Sequence, residues 1–415
     1  MKILHINTYQ VGGAAWCAIR INKSLAMLGV ESKMLFANGL SMPEGVEGAI
    51  AKQDKEFWYS NPMLGKVKHM LNRMPWYWDK EKADIQLSEA KSRINVETKP
   101  YTHHPFSCYK NIANHPLVEW ADIIHLHWVS DFVDYPTFFK KVKKPIVWTL
   151  HDMHPSRGVM HFYSNYSVLP PELRDIDDIS CKIKRKSVLE ASNLNIVAIS
   201  AFMEDEIVHS PVLCGFKHSM IHNGVDTQIF QPQERQKRHN CFLFSSYDIW
   251  DNRKGLQRVI AALEKLKIPN TILVVVGANA SKKKPEASFP IIEKGLITDQ
   301  IELAKIYSQA DYFINASYEE AFAQTPLEAM ACGTPVISTP CSGAKDLICS
   351  VNGVVCDGFE IADLAEGIKK SVKMQFDHND IRKIILRNYD YSVIAKEYIK
   401  LYNEVLDNEK RNRRY

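Results

Sequence analysis

An apolar run at 3–6 leads into a glycine pair, Gly12-Gly13, and then into apolar positions at helical spacing over 14–28, which stop at Gly29. This is a strand, loop and helix unit. Further strands are predicted at 31–36, 123–126, 145–150, 195–199 and 219–221, with helical stretches between several of them. Such alternation implies a mostly parallel sheet covered on both faces. After Phe230 the pattern breaks into a polar, charged run over 231–240, and a new apolar strand opens at 241–245. The second series predicts helices over 256–266, 301–309 and 326–331, with strands over 271–276, 311–315 and 335–338. The chain thus reads as α/β, two doubly wound Rossmann-like domains over 1–230 and 241–390 facing a cleft, followed by a C-terminal segment, 391–415. In sheets of this kind ligands bind just beyond the carboxyl ends of the strands, so residues at those positions are the candidates for chemistry.

One stretch, about 51–110, fits the alternation poorly and reads as an insertion. It sets Trp58, Trp76, Tyr77 and Trp78 beside Lys66, Lys68, His69 and Arg73. Cations mixed with interfacial aromatics suit peripheral contact with an anionic membrane through 58–78, and they equally suit a solvated helix with its aromatics turned inward.

Composition narrows the class without deciding it. A chain of 415 residues is long enough for two cores, and 46% hydrophobic with 24% charged residues is ordinary for a folded protein. The formal net charge of +4 is too small to signal nucleic acid as a partner. The opening, Met1-Lys-Ile-Leu-His-Ile, has no basic region before an apolar stretch, and no window approaches the length of a spanning helix. The expectation is a cytoplasmic protein, soluble or peripheral on the inner face of a membrane. Nine cysteines without a C-x-x-C pair are expected as reduced, buried thiols.

Four groups of residues follow strands. Thr325-Pro326-Leu327-Glu328 has the form of a capping box, with Thr325 as cap, so a helix is expected to start there and offer free amides to phosphate or sugar hydroxyls. Arg253-Lys254-Gly255 precedes a helix and reads either as a solvated surface or as a cationic seat. Gly12-Gly13 allows backbone amides to approach a phosphate. His151-Asp152 ends a strand and is structural or catalytic.

The full stretch Ser317-Tyr-Glu-Glu320-Ala-Phe322-x3-Pro326-Leu-Glu328-Ala-Met-Ala-Cys-Gly333-Thr-Pro335-Val336 closely resembles the glutamate-x7-glutamate motif of retaining GT-B glycosyltransferases, family 4 (glycosyl transferases group 1) in particular. That resemblance implies that Glu320 contacts donor-sugar hydroxyls, that Glu328 holds the ribose, and that Lys254, with Arg253, stabilises the departing diphosphate. It implies a donor-binding set of Gly12, Gly13, Arg253, Lys254, Glu320, Ala321, Phe322, Ala323, Thr325 and Glu328. It further places the base near Leu296 and Ile297, and His151 beside the donor sugar as a catalytic residue together with Lys254 and Glu320. Ala321 and Ala323 stand where relatives carry glycines. Asn223-Gly224-Val225-Asp226 resembles the family's interdomain hinge, and the segment beyond Tyr389 resembles a helix that crosses back to the first domain.

The implied activity is a hexosyltransferase-type glycosyltransferase. It would use a nucleotide-sugar co-substrate, UDP- or GDP-sugar, and a glycan or lipid-linked acceptor in surface polysaccharide biosynthesis, with no cofactor and no divalent metal. Two rivals stand beside it. One is a non-catalytic sugar or nucleotide binder of the same fold. The other is a metal-dependent hydrolase built on His125, His127, His151, Asp152, His154 and His161.

Overall fold

The computed structural model describes residues 1–39, 41–53, 70–71, 74, 78–94, 101–162, 171–235 and 240–412. Trp58, Lys66, Lys68, His69, Arg73, Trp76 and Tyr77, on which the membrane reading rests, lie outside the described residues.

Two compact units make up the chain. The first comprises 1–199, 203–221 and 395–415, and the second 200–202 and 222–394. Among the described residues, the first unit holds a seven-stranded parallel sheet: β1 (Lys2–Asn7), β2 (Glu31–Phe36), β3 (Gly48–Ile50), β4 (Ile123–Leu126), β5 (Ile146–Leu150), β6 (Leu194–Ala198) and β7 (Lys217–Met220), in spatial order 3-2-1-4-5-6-7. The second holds six parallel strands: β8 (Cys241–Asp248), β9 (Ile272–Ala278), β10 (Ile291–Glu293), β11 (Tyr312–Asn315), β12 (Val336–Ser338) and β13 (Gly353–Val355), in order 10-9-8-11-12-13. Central strands are apolar at nearly every position because helices cover both faces; Ile146–Leu150 is buried throughout. In the second unit Phe242, Phe244, Leu273, Ile314 and Ile337 form one core with Val259, Leu263 and Ile368 of the covering helices.

Both strand orders reverse at their first strand, giving switch points between β1 and β4 and between β8 and β11. Loops beyond these strand ends diverge to opposite faces and leave a crevice, the usual ligand position in open α/β sheets. The glycine pair and His127 lie at the first switch point, and Lys254 and Glu320 at the second. β3, β10 and β13 were not expected from the sequence. Each is a three-residue edge strand, too short to carry a period.

The division between units comes at His222, ahead of the polar run 231–240 where the sequence placed it. Residues 222–230 pack on the second unit because its backbone groups receive them. Val225 N–H donates to Tyr389 O at 2.8 Å, and the Arg382 guanidinium donates to Thr227 O at 2.8 Å and to Phe230 O at 2.9 Å. The last helix, Tyr391–Asn412, is counted with the first unit from Ala395 onward. There the Tyr398 hydroxyl meets Thr149 Oγ1 at 2.9 Å and the Tyr402 hydroxyl meets His125 Nδ1 at 2.6 Å.

Within the insertion, Lys80–Arg93 is a helix capped by Asp79. Trp78 is half-buried against Leu87, Val159 and Leu173, with its indole N–H donating to Gln86 Oε1 at 2.7 Å. Of the aromatics in that stretch, this one is turned inward. Among the described residues no helix is long and apolar enough to cross a membrane. None of the nine cysteines is paired in a disulfide; Cys349 is exposed rather than buried as expected, and Cys108, Cys181 and Cys214 are half-buried.

Candidate active site

In the second unit the β8 switch-point loop is shaped by two aspartates. Asp248 Oδ1 accepts from Trp250 N–H at 3.1 Å, and Asp251 Oδ1 accepts from Arg253 N–H at 3.0 Å. Gly255 then takes a left-handed conformation, φ 79°, as cap of the helix Leu256–Leu266; a Cβ there would lie 2.6 Å from Ala316 O. That close approach brings the 251–255 loop against the chain leaving β11. Tyr318 N–H donates to Arg253 O at 2.9 Å, and the Arg258 guanidinium binds Ala316 O and lies 3.5 Å over the Tyr318 ring.

The result is the contact that the spacing of Lys254 and Glu320 in sequence could not show: Lys254 Nζ donates to Glu320 Oε1 at 2.6 Å. Ser317 Oγ donates to the same oxygen at 2.7 Å, and the backbone of Glu320 is braced from behind by Gly343 N–H at 2.9 Å and Ser342 Oγ at 3.0 Å. Both side chains remain partly accessible, 26% for Lys254 and 16% for Glu320, so an entering ligand can exchange with either. Arg253 does not join them. Its guanidinium clasps Asp251 through contacts of 2.6 and 3.2 Å.

Ala321, Phe322 and Ala323 are buried, with Ala321 O accepting from Ser200 Oγ at 2.6 Å and Phe322 beside the His222 ring at 5.8 Å. The helix that follows runs Gln324–Ala331 with Ala323 as its cap and no side-chain capping bond. Thr325 is therefore inside the helix, and the expected capping box is not formed. Pro326 does not prevent the earlier start, since it sits among the first four amides, which have no intrahelical acceptor in any case. Glu328, released from a capping role, is buried and accepts from the Tyr307 hydroxyl at 3.2 Å. Leu296 is exposed and Ile297 half-buried, on the loop between β10 and the helix Gln300–Gln309.

The first unit presents different chemistry. Gly12, at φ 97°, caps the helix Gly13–Met27, and both glycines are exposed. His151 and Asp152, neighbours in sequence, part company. Asp152 is buried and accepts from His161 Nδ1 at 2.6 Å, the Trp128 indole N–H at 2.7 Å and His154 N–H at 3.0 Å. Burial would raise its carboxyl, but the charge and hydrogen bond of His161, with the other donors, hold it below the usual range. His151 is partly buried, and its Nε2 meets His127 Nδ1 at 3.0 Å. Burial pulls it down to about 4, against the opposing charge of Asp152.

Among the described residues His5, His125 and His127 are the group whose ligand atoms lie within 4.8 Å of one another. Their bonds argue against a metal centre. His125 is engaged by Tyr402 at 2.6 Å and Thr149 at 2.8 Å, and His127 by His5 at 2.9 Å and His151 at 3.0 Å. All three rings are buried, and both ring nitrogens of His125 and of His127 are already engaged by these partners. His154 and His161 are tied into the Asp152 network and do not converge with the trio. His5, Ser317 and Tyr307 were missed from sequence. Each is ordinary in its local pattern: His5 gains a role through strand adjacency, Tyr307 through the meeting of its helix with Gln324–Ala331, and Ser317 through a contact three residues along the same loop.

Residues 226–387 match the family described as glycosyl transferases group 1. The chain is 23% identical over 323 residues, 72% of its own length and 80% of the relative's, to a GDP-mannose:cellobiosyl-diphosphopolyprenol alpha-mannosyltransferase of Xanthomonas oryzae. Among solved structures it resembles a sucrose-phosphate synthase from Thermosynechococcus elongatus, with TM-score 0.68, 17% identity, and coverage of 98% of this chain and 99% of that one. It also resembles the Anabaena protein HepE in complex with UDP and glucose, with TM-score 0.61, 16% identity and coverage of 97% and 99%.

Proposed function

We propose that this chain, whose residues 226–387 match the group 1 glycosyl transferases and whose fold resembles theirs in its two α/β units, moves a sugar from a nucleotide-sugar donor to an acceptor hydroxyl with retention of anomeric configuration. The observation that carries the reading is the Lys254–Glu320 contact at 2.6 Å beyond the switch point of the second sheet. An ammonium and a carboxylate held together, each partly accessible, offer complementary partners to a donor whose diphosphate is anionic and whose sugar carries hydroxyl donors. Lys254 moves from Glu320 to the diphosphate as charge develops on the leaving oxygen, and Glu320 is freed to accept from sugar hydroxyls. In the reaction the bond from the anomeric carbon to phosphate oxygen breaks on the face where the acceptor oxygen bonds, and the acceptor's proton passes to the departing phosphate. Glu328, aligned by Tyr307, accepts from the ribose. The Gly12-Gly13 amides and the free amides at the start of Gln324–Ala331 supply further donors to phosphate. Arg253 contributes after release from Asp251. Leu296 and Ile297 border the base, and His151 meets the donor sugar.

The donor is a UDP- or GDP-sugar. Support comes from the GDP-mannose named for the Xanthomonas relative and the UDP held by HepE. The acceptor is a glycan or a lipid-linked glycan, as the diphosphopolyprenol of that relative's name favours, and peripheral membrane contact through 58–78 would serve it. Neither a cofactor nor a divalent metal is required, since protein cations and amides face the diphosphate. A panel of UDP-, GDP- and ADP-sugars, read by thermal shift and then by release of nucleotide diphosphate, tests the reading. One donor is expected to stabilise the protein and turn over in the presence of excess chelator. Stabilisation without turnover on any acceptor would favour a sugar-nucleotide binder instead.

A further inference from the structure

Three histidines of the first unit form a line of which the function proposed above uses only His151. His5 lies within β1, His127 just beyond β4, and His151 just beyond β5. His5 Nδ1 meets His127 Nε2 at 2.9 Å, and His127 Nδ1 meets His151 Nε2 at 3.0 Å. Successive rings are nearly parallel, 23° apart in both pairs. At the inner end His5 Nε2 is buried and, among the described residues, has no hydrogen-bond partner. At the outer end His151 is partly buried.

Such a line has a direction. Burial holds all three rings neutral, with His5 pulled down to about 3 and His151 to about 4. A neutral imidazole has one N–H and one lone pair, so three rings share three protons. Each link uses one proton, and the third sits at one end of the line or the other. If it sat on His5 Nε2, the core would hold an N–H with no acceptor, a rarer and costlier fault than a lone pair without a donor. If it sits on His151 Nδ1, it faces the open end, and the negative charge of Asp152 favours it there.

We propose that His5 and His127 are positioning residues that fix His151 as the Nδ1–H tautomer, so that the atom it turns outward is a hydrogen-bond donor, fitted to a sugar oxygen and unable to accept the acceptor's proton. The orphan at His5 is what sets the direction. His151's contact with a sugar rests on the function proposed above; the tautomer does not.

The test is a two-bond proton–nitrogen correlation spectrum of the full chain labelled with nitrogen-15 histidine, at pH 7 to 8, with His151 assigned through His151→Asn. The wild-type spectrum is expected to show His5, His127 and His151 all protonated on Nδ1, and finding His151 protonated on Nε2 would overturn the proposal. His127→Phe removes the donor to His151 Nε2 and is expected to return His151 to the Nε2–H form that free imidazole prefers. It should lower kcat roughly tenfold, the worth of one net hydrogen bond, with the donor KM unchanged. His127→Gln, whose amide can donate to the same nitrogen, is expected to restore both. If His127→Phe leaves the His151 tautomer as it was, the line does not set it. Should the wild-type protein transfer no sugar while the tautomers are as stated, the function fails and the positioning of His151 stands.

Discussion

At the switch point of the second sheet an ammonium and a carboxylate face each other at 2.6 Å with part of each side chain open to solvent, whereas at the first His5 and His127 are imidazoles that burial keeps uncharged. The sheets are wound alike, so the difference lies in the side chains that follow the strands. An ion pair that solvent still reaches contributes little to stability, and its members exchange partners at small cost when an anion arrives. A buried neutral imidazole cannot move or charge cheaply, which makes it an orienting group. One unit is suited to answer charge that develops during a reaction; the other is suited to hold geometry.

Removing the ammonium should have the largest effect. Lys254→Ala is expected to lower kcat by about 10² to 10³, the range for loss of one preorganised donor to a developing oxyanion, measured as nucleotide diphosphate released per second. Arg253→Ala should cost roughly tenfold at most, because its guanidinium starts out on Asp251. Equal losses would make the two cations equivalent and erase the distinction drawn from their partners.

Acid should expose the other unit. For His5 and His151 the folded values, about 3 and about 4, lie below that of an unfolded histidine, so the unfolded chain binds more protons between those values and about pH 6.5. Stability is therefore fully present above pH 6.5 and is lost as pH falls through that window, by up to about 1.4 kcal/mol per pH unit for each such group. Urea unfolding at pH 7, 5.5 and 4.5 measures the slope. His5→Phe should flatten it, and an unchanged slope would mean that His5 is not held neutral.

Glu328→Ala should weaken binding of the donor nucleotide about tenfold by titration calorimetry, through loss of one charged acceptor. Gly12→Ala places a side chain at φ 97°, ψ 166°, a region essentially confined to glycine, costing about 1–3 kcal/mol of stability. The smallest effect belongs to Gly13→Ala, which opens a helix with no atom within 4 Å of the added carbon and should change the melting temperature little.

The alternation of strands and helices was legible because strands buried on both faces are mostly apolar, and the long central strands carry that signal. Edge strands β3, β10 and β13 were not, since each has three residues with part of them left accessible, whereas β12, equally short, is buried throughout. At the site, Glu320 and Lys254 were legible as residue types through the resemblance, but their contact was not. It depends on Gly255 letting two loops approach, a distance between segments 66 residues apart. Thr325 was misread as a cap because the S/T-x-x-E pattern matches wherever it falls, and tertiary packing started the helix earlier. His5 was invisible for the opposite reason. Inside an apolar strand it looks like a core histidine, which it is, and its link to His151 passes through His127 on a different strand.

The most direct test of the opposed pair is a double-mutant cycle on kcat with Lys254→Ala and Glu320→Gln. If the two act as one device around the leaving diphosphate, the double variant should be no slower than the slower single variant, short of the product of the two losses by about tenfold or more. Losses that multiply, or single variants that turn over at the wild-type rate, would contradict it.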